Sequence, residues 1–187
     1  VQKVSSEFTP GSISMTAWSF ASLMVNNAPM MEVLGKEATA KIEQFKTDDL
    51  ALLAWAFANL RIQDQQLFAI MAEKAKQNIR LEPGTIAPPE LANIAWAFSK
   101  HQHPHEGLMS MIANEAVMSI NAFKAAEVAM LTWAVAVAGL QNQSLMAEIG
   151  ASVSRRIEKY SAPQLSHIAW AFGALSMRHT GFLKTLS

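Results

Sequence analysis

Five tryptophans recur along this chain at a nearly constant period. The spacings between them are 37, 41, 37 and 37 residues, and the chain contains no other tryptophan. A rare residue that returns at a fixed period of this length is the signature of a repeat array, in which each repeat is one supersecondary unit stacked on its neighbours. The five positions are Trp18, Trp55, Trp96, Trp133 and Trp170.

Large apolar residues keep register with the tryptophans and indicate two helices per repeat. They recur five residues before each Trp and twelve and sixteen residues after it, and also twenty-four residues after the first four tryptophans. These steps are typical of α-helices. Helix-start signals agree, because Pro88-Pro89-Glu90 places proline at a helix start and Ser161 to Gln164 has the pattern of a capping box. The sequence therefore predicts an all-α fold, an α-solenoid of about five helix-turn-helix repeats of 37–41 residues.

The repeats divide the chain into a single array spanning 1–187. After an N-terminal extension, 1–9, the predicted repeats are 10–46, 47–87, 88–124, 125–161 and a partial fifth, 162–187. The one long spacing comes from a short insertion at the end of the second repeat, where Pro83-Gly84 is a helix breaker. Because the chain does not begin with Met and stops inside a repeat, we interpret it as part of a longer protein.

Composition limits the classes of function. Lys plus Arg and Asp plus Glu both number 15, so the net charge is zero and a basic surface over the whole chain is not expected. The absence of Cys excludes disulfides and thiolate metal sites. The longest apolar stretch, 128–140, is shorter than the ~20 residues of a membrane span, so we predict a protein that does not span a membrane. No targeting segment is visible.

One strip of the first helix varies between repeats and is the candidate binding surface. The strip consists of positions −6, −3, +1 and +4, counted in residues from Trp, and it lies beside the tryptophans. We expect the tryptophan side chains themselves to be buried in contacts between repeats. The strip is either the solvated edge of a buried helix or a concave surface that contacts a partner one unit per repeat, as in helical repeats that bind RNA. The candidate RNA- or partner-binding residues are Met15, Ser22, Asn59, Asn93, Lys100, Gln164 and His167.

The second helix is amphipathic and carries most of the basic residues. Lys41, Lys74, Arg155 and Arg156 are candidate phosphate contacts. The alternative is that they lie on a solvated helix face and pair with neighbouring acids.

No pattern in the chain predicts catalysis. No Gly-x-Ser-x-Gly motif frames a nucleophile and no Gly-rich loop has the form that holds phosphates. His101, His103 and His105 could hold a metal, but a polar turn between helices is the simpler interpretation. We therefore predict no enzyme, no cofactor, no metal site and no small-molecule substrate.

Two segments resemble a known family. Leu91-Ala92-Asn93-Ile94-Ala95-Trp96-Ala97-Phe98 and Leu165-Ser166-His167-Ile168-Ala169-Trp170-Ala171-Phe172 are similar to the octotricopeptide-type repeat. They also resemble the related repeats that accompany RAP domains in organelle proteins of algae, dinoflagellates and apicomplexans. The resemblance implies an α-solenoid in a chloroplast or mitochondrion that binds single-stranded RNA and supports its processing, stability or translation. The alternative is a protein-binding scaffold or accessory subunit of a large organellar complex, with other protein subunits as partners.

Overall fold

The computed structural model describes residues 8–101 and 105–185, and within these ranges the chain is helical without any strand. The prediction of an all-α helical-repeat solenoid is confirmed. No helix in the described ranges has the length and apolar character that crossing a bilayer requires. The α-helices are α1 (Pro10–Ser22), α2 (Ala28–Lys41), α3 (Thr47–Asn59), α4 (Gln65–Leu81), α5 (Pro88–Lys100), α6 (Glu106–Ser119), α7 (Ala125–Val137), α8 (Gln143–Arg155), α9 (Ala162–Ala174) and α10 (Thr180–Thr185).

The helices form two layers. Each odd-numbered helix packs on the next odd-numbered helix, from α1 to α9, and each even-numbered helix packs on the next even-numbered one. Each even-numbered helix, from α2 to α8, also packs on an odd-numbered helix of the other layer. Three of the second helices end in a short 3-10 turn, at Ile42–Gln44, Ile120–Ala122 and Ile157–Lys159. The odd-numbered helices, called first helices below, make the most extensive contacts between repeats.

Small side chains allow the first helices to approach each other closely. The positions one residue before and one residue after Trp carry Ala in most repeats, and most of these side chains are buried. The exception before Trp is Thr132, which is fully buried and donates its hydroxyl to the carbonyl of Val128 at 2.6 Å. Methyl groups at both positions leave little side-chain volume between neighbouring helices, so the larger apolar residues point toward the second layer and form the core.

A polar residue nine positions after Trp begins most second helices. The side chains of Asn27, Asp64 and Asn142 each accept the backbone N–H three residues later, at 2.9 to 3.1 Å. His179 does the same through Nδ1 for Phe182, at 3.0 Å. These caps satisfy an N–H group that has no partner inside the helix, so the same turn is rebuilt in successive repeats.

The insertion after the second repeat is held by a buried carboxylate. Glu115 of α6 is 7% exposed, and its Oε2 accepts the backbone N–H of Gly84 at 2.6 Å. Gly84 has φ +75°, a left-handed conformation that glycine adopts without steric cost. Ile86 then fills an apolar slot that Phe45, Phe123 and Tyr160 fill at the other junctions between repeats.

We predict that Glu115→Ala lowers the free energy of unfolding by about 1–3 kcal/mol, because a buried, charge-assisted hydrogen bond is lost. Urea unfolding followed by circular dichroism measures the change. Glu73→Ala is the control, since the Glu73 side chain is 73% exposed and pairs with Lys76 of its own helix. Equal loss in both variants would contradict the role of Glu115.

The residue seventeen positions after Trp is small and faces the side chain that caps the second helix of the following repeat. Gly35 and Gly150 occupy this position, and substitutions there provide a second test. A Cβ added at Gly35 would meet Phe57 at an ordinary 3.5 Å, whereas one added at Gly150 would lie 2.5 Å from Cγ of His179. We predict that Gly35→Ala is neutral or stabilising by up to about 1 kcal/mol, since Ala favours helix. Gly150→Ala should destabilise by about 1–3 kcal/mol, because His179 must move. Equal effects in thermal unfolding would contradict this contact.

Candidate nucleic-acid interface

The accessible surface of the first helices is a stripe that contains the tryptophans. Beyond the first turn of each helix, three positions, −3, 0 and +4, are at least partly exposed in every repeat. Because the first helices lie side by side, these positions form three rows across the array, which we call the tryptophan seam. The rows are Met15, Leu52, Asn93, Met130 and His167; then Trp18, Trp55, Trp96, Trp133 and Trp170; then Ser22, Asn59, Lys100, Val137 and Ala174.

The seam is rotated relative to the strip predicted from the sequence. The prediction that position +1 belongs to the accessible strip is wrong, because the side chains there are buried. Ala56, Ala97, Ala134 and Ala171 are all 0% exposed. Position +1 is turned by about 100° from Trp, toward a neighbouring first helix, whereas −3 and +4 are turned by only about 60° and 40°. The expectation of buried tryptophans is also corrected: Trp18 and Trp170 are 39% and 50% exposed, and the other three are partly buried against the core.

In the middle of the seam one pair of indole rings is in contact, and one lysine lies over two of the rings. The ring centroids of Trp55 and Trp96 lie 6.2 Å apart with a 30° tilt, a distance at which aromatic pairs attract. Nζ of Lys100 lies 5.7 Å from the Trp96 centroid and 4.7 Å from that of Trp133, both within cation–π range. The seam therefore carries a row of flat apolar rings with a positive charge between two of them.

Several residues singled out in the sequence meet at this place. Lys100, Gln164 and His167 line a shallow groove of about 430 Å³ together with Trp96 and Trp133. Ala126, Ala129 and Met130 complete its lining. The other predicted residues lie along the same seam in the first three repeats: Met15 is 54% exposed, Ser22 is exposed, and Asn59 and Asn93 are partly buried.

Two of the predicted residues already make structural hydrogen bonds. Oε1 of Gln164 accepts the backbone N–H of Ser161 at 2.9 Å, which is the Gln164 side of the capping box predicted at the start of α9. Nδ2 of Asn59 donates to the carbonyl of Ala21 at 3.1 Å and so ties the second repeat to the end of α1. Gln164 stands at position −6, where Glu90 and Glu127 cap α5 and α7 in the same way. Position −6 is therefore a capping row at the edge of the seam.

The capping row is acidic in the second, third and fourth repeats, at Asp49, Glu90 and Glu127. Burial raises the pKa of Asp49, and the neighbouring carboxylate of Asp48 adds to this effect. Burial also raises the pKa of Glu90, partly opposed by its hydrogen bond from the Ala87 backbone and reinforced by Asp48. The carboxylates of Asp48, Asp49 and Glu90 thus lie close together at this edge. In the fourth repeat Ala126 takes the position of Asp48, and in the fifth repeat Gln164 takes the acidic capping position.

The four candidate phosphate contacts lie at junctions between repeats. Lys41 pairs with Glu37 at 3.0 Å and donates to the Phe8 carbonyl, and Lys74 pairs with Glu43 at 3.2 Å. Arg155 donates to Oδ1 of Asn121 at 2.8 Å, and Arg156 donates to the carbonyls of Ile120 and Asn121. Three of these side chains hold one repeat to the preceding one, and among the described residues the cation that lies over the indole rings is Lys100 rather than any of the four.

The histidine cluster serves the packing of the third repeat. His101 is buried and stacks on Phe68, with ring centroids 4.2 Å apart, and His105 meets Phe98 edge-on at 5.0 Å. His103 lies outside the described residues. Within those residues, no group of three or more His, Asp or Glu side chains is arranged to hold a metal ion.

Charge is distributed unequally along the array, although the total is zero. Of the 15 acids, ten precede residue 95 and five follow it, whereas the 15 basic residues divide eight and seven. The half that contains Trp96, Trp133 and Lys100 is therefore net positive. The prediction that no basic surface covers the whole chain rests on its zero net charge. That total conceals the positive charge of the second half.

We predict that Glu90→Gln increases stability at neutral pH and that the gain disappears on acidification. The raised pKa means that the native state binds this proton more tightly than the unfolded state. The resulting penalty is complete above the native pKa and vanishes below the pKa of the unfolded chain. Glutamine keeps the cap, as Gln164 does. Thermal unfolding between about pH 4 and 7 measures the difference from the parent protein. A variant that is less stable at every pH would contradict this expectation.

A comparison with known families adds an independent finding. A protein-family model, described as RNA-editing substrate-binding complex 6 protein, matches residues 2–143, which is more than half of the chain. No curated protein matches the chain significantly. The octotricopeptide-type resemblance stays a prediction, since the matched family is a different one. Because this match covers more than half of the chain, the chain belongs to the RNA-editing substrate-binding complex 6 protein family.

Proposed function

We propose that this protein binds single-stranded RNA along the tryptophan seam as a subunit of an RNA-editing substrate-binding complex. The observation that carries the proposal is the row of accessible indole rings with Lys100 between Trp96 and Trp133. The family name supports RNA and protein subunits as partners.

Base stacking supplies the affinity in this proposal. Every base has a π-face, so aromatic side chains bind single strands with little dependence on sequence, and each stacked base contributes about 1–3 kcal/mol. Trp170 and Trp18 are the most exposed rings, and Trp133 borders the groove with Lys100 and His167. A base that stacks on Trp133 displaces the Lys100 ammonium from the ring, and the ammonium is then free to contact a phosphate.

The third to fifth repeats are the favoured part of the seam. Asp48, Asp49 and Glu90, which cluster at the starts of α3 and α5, repel phosphates at that edge of the seam. At the edge beside Trp133 and Trp170, the groove is instead lined by the uncharged side chains of Ala126 and Gln164. Glu127 caps α7 by accepting the Lys124 backbone N–H and does not line this groove. We therefore place the RNA between Trp96 and Trp170, where Asn93 and His167 can hydrogen-bond to base edges.

A second surface favours a protein partner at the opposite end of the array. Leu23, Met24 and Val25 follow α1 and are 74%, 71% and 46% exposed, close in sequence to the exposed Met15 and Trp18. Exposed apolar groups of this size are typical of interaction sites. The alternative function is accordingly a scaffold that joins protein subunits. We further propose that the protein is not an enzyme and acts in an organelle, a chloroplast or a mitochondrion.

The test is binding of a fluorescent single-stranded RNA by the intact chain at several salt concentrations. We expect Trp133→Leu, which keeps apolar bulk but removes the aromatic ring, to weaken binding by roughly 5- to 150-fold, the equivalent of one lost stack. Trp133→Phe should lose much less. Lys100→Met should weaken binding and lower the salt dependence, because one fewer cation contacts the RNA.

Lys36→Met is the matched control. Lys36 lies on α2, is 74% exposed and pairs with Glu32 of its own helix, away from the seam. Circular dichroism must show that all variants are folded. If Trp133→Leu and Lys100→Met bind RNA as tightly as Lys36→Met does, the seam is not the RNA surface. If the parent protein binds no RNA, the scaffold function is favoured.

A further inference from the structure

One groove between repeats is unusually basic. It has a volume of about 460 Å³ and is formed where the end of the third repeat, the start of α7 and the end of the fourth repeat meet. Lys124, Arg156 and Lys159 line it, together with Tyr160, and its lining contains no acidic residue among those described. Ala126 lines both this groove and the groove at Trp96 and Trp133, so the two are adjacent.

Two buried donors in this groove have no acceptor within the described chain. Tyr160 is 8% exposed, and neither its hydroxyl nor Nε of Arg156 donates a hydrogen bond to any described residue. The remaining guanidinium nitrogens of Arg156 are used, since they donate to the carbonyls of Ile120 and Asn121 at 3.2 and 3.3 Å. Buried donors without acceptors are costly, and an anion in the groove would satisfy them.

Tyr160 stands where the fold requires only an apolar side chain. The equivalent slots are filled by Phe45, Phe123 and Ile86, all buried. Burial raises the pKa of Tyr160, and the nearby Arg156 opposes this only in part, so the hydroxyl keeps its proton at neutral pH and remains a donor. The hydroxyl is therefore unnecessary for packing and suited to binding an oxyanion.

The equivalent groove between the first three repeats shows that the basic character is local. It is lined by Glu43, Asp48, Glu82 and Glu90, with Lys46 and Lys74 as the only cations in its described lining. Counting from Trp, Asn78 and Leu81 occupy the positions of Arg156 and Lys159, and Glu43 and Asp48 occupy those of Asn121 and Ala126. Exchanges at these four equivalent positions thus account for much of the difference between an acidic groove and a basic one.

The start of α7 adds further donors and one opposing charge. The first N–H groups of a helix have no intrahelical acceptor and favour anions. Ala125 and Ala126 of this first turn line the groove. The carboxylate of Glu127 is engaged with the Lys124 backbone N–H at 2.7 Å, and Glu158, on the neighbouring 3-10 turn, is exposed. Neither acid lines the groove.

We propose that the groove of Lys124, Arg156, Lys159 and Tyr160 binds a phosphate group. Resting on the proposed function, we further propose that this phosphate belongs to RNA whose bases stack on the adjacent part of the seam. Several charged and neutral hydrogen-bond donors line this groove. Phosphate matches them because it is an anion whose several oxygens can each accept a hydrogen bond.

The test follows the Nε–H resonance of Arg156 by NMR in the intact protein during titration with inorganic phosphate and, separately, with single-stranded RNA. Chloride at equal ionic strength is the reference. Lys159→Leu and Tyr160→Phe introduce the residues found at equivalent positions, so the fold tolerates both. We expect a saturable shift in the parent protein and an affinity about tenfold lower in Lys159→Leu, the usual effect of one charge-assisted contact. Lys124→Ala is compared with Lys46→Ala in the acidic groove.

The outcomes separate this site from the proposed function. A saturable Arg156 response to phosphate or RNA that weakens in Lys159→Leu and Lys124→Ala, but not in Lys46→Ala, supports the site. RNA that quenches tryptophan fluorescence without any Arg156 response overturns the site and leaves the seam intact. A response to inorganic phosphate without any binding of RNA keeps the phosphate site and overturns the RNA function. Absence of a response to both probes overturns the site.

Discussion

Close packing between first helices through small side chains is the constraint on which the rest of the structure depends. Ala54 and Ala56, on either side of Trp55, are buried almost completely, and the same arrangement recurs at Ala95 and Ala97. Helices that approach through methyl groups leave no room for an indole between them. The tryptophans are consequently displaced to the accessible edge, where neighbouring rings can meet. An arrangement that serves packing therefore also creates an aromatic surface.

The second organising feature is the exchange of charged residues between equivalent positions. The backbone arrangement repeats, but the charges do not. The capping row is acidic at Asp49, Glu90 and Glu127 and neutral at Gln164, and the junction grooves change from acidic to basic. Since a phosphate backbone responds to local potential more than to net charge, a chain with zero total charge can still bind RNA in one half. The other half, with Leu23 and Met24 exposed, offers a different kind of surface.

The repeat architecture is predictable from the sequence, because the tryptophan period and the apolar columns are both consequences of stacking. The insertion at Pro83-Gly84 is predictable as well, although the buried Glu115 that holds this loop is distant in sequence and gives no signal. The position of the tryptophan seam is less predictable from the sequence. Helical periodicity alone assigns angles around one helix, and it cannot say that Ala97 faces a neighbouring helix while Trp96 remains accessible. That requires knowing which helices lie side by side.

Candidate residues are harder to assign for the same reason. Gln164 is a predicted binding residue, yet a side chain at the third helical position can also cap its own helix, and the capping box makes that visible in the sequence. Arg156 is a predicted phosphate contact because it stands in a run of basic residues. Its surroundings become clear only when the equivalent Asn78 and the buried Tyr160 hydroxyl are compared in space.

Ultraviolet cross-linking of the protein to single-stranded RNA, with the linked residues identified by mass spectrometry, tests the central claim most directly. Cross-links are expected at Trp96, Lys100, Trp133 and Trp170, on the accessible edge of the first helices. Cross-links confined to the second helices, for example around Lys36 or Gln77, would contradict an RNA surface on the seam.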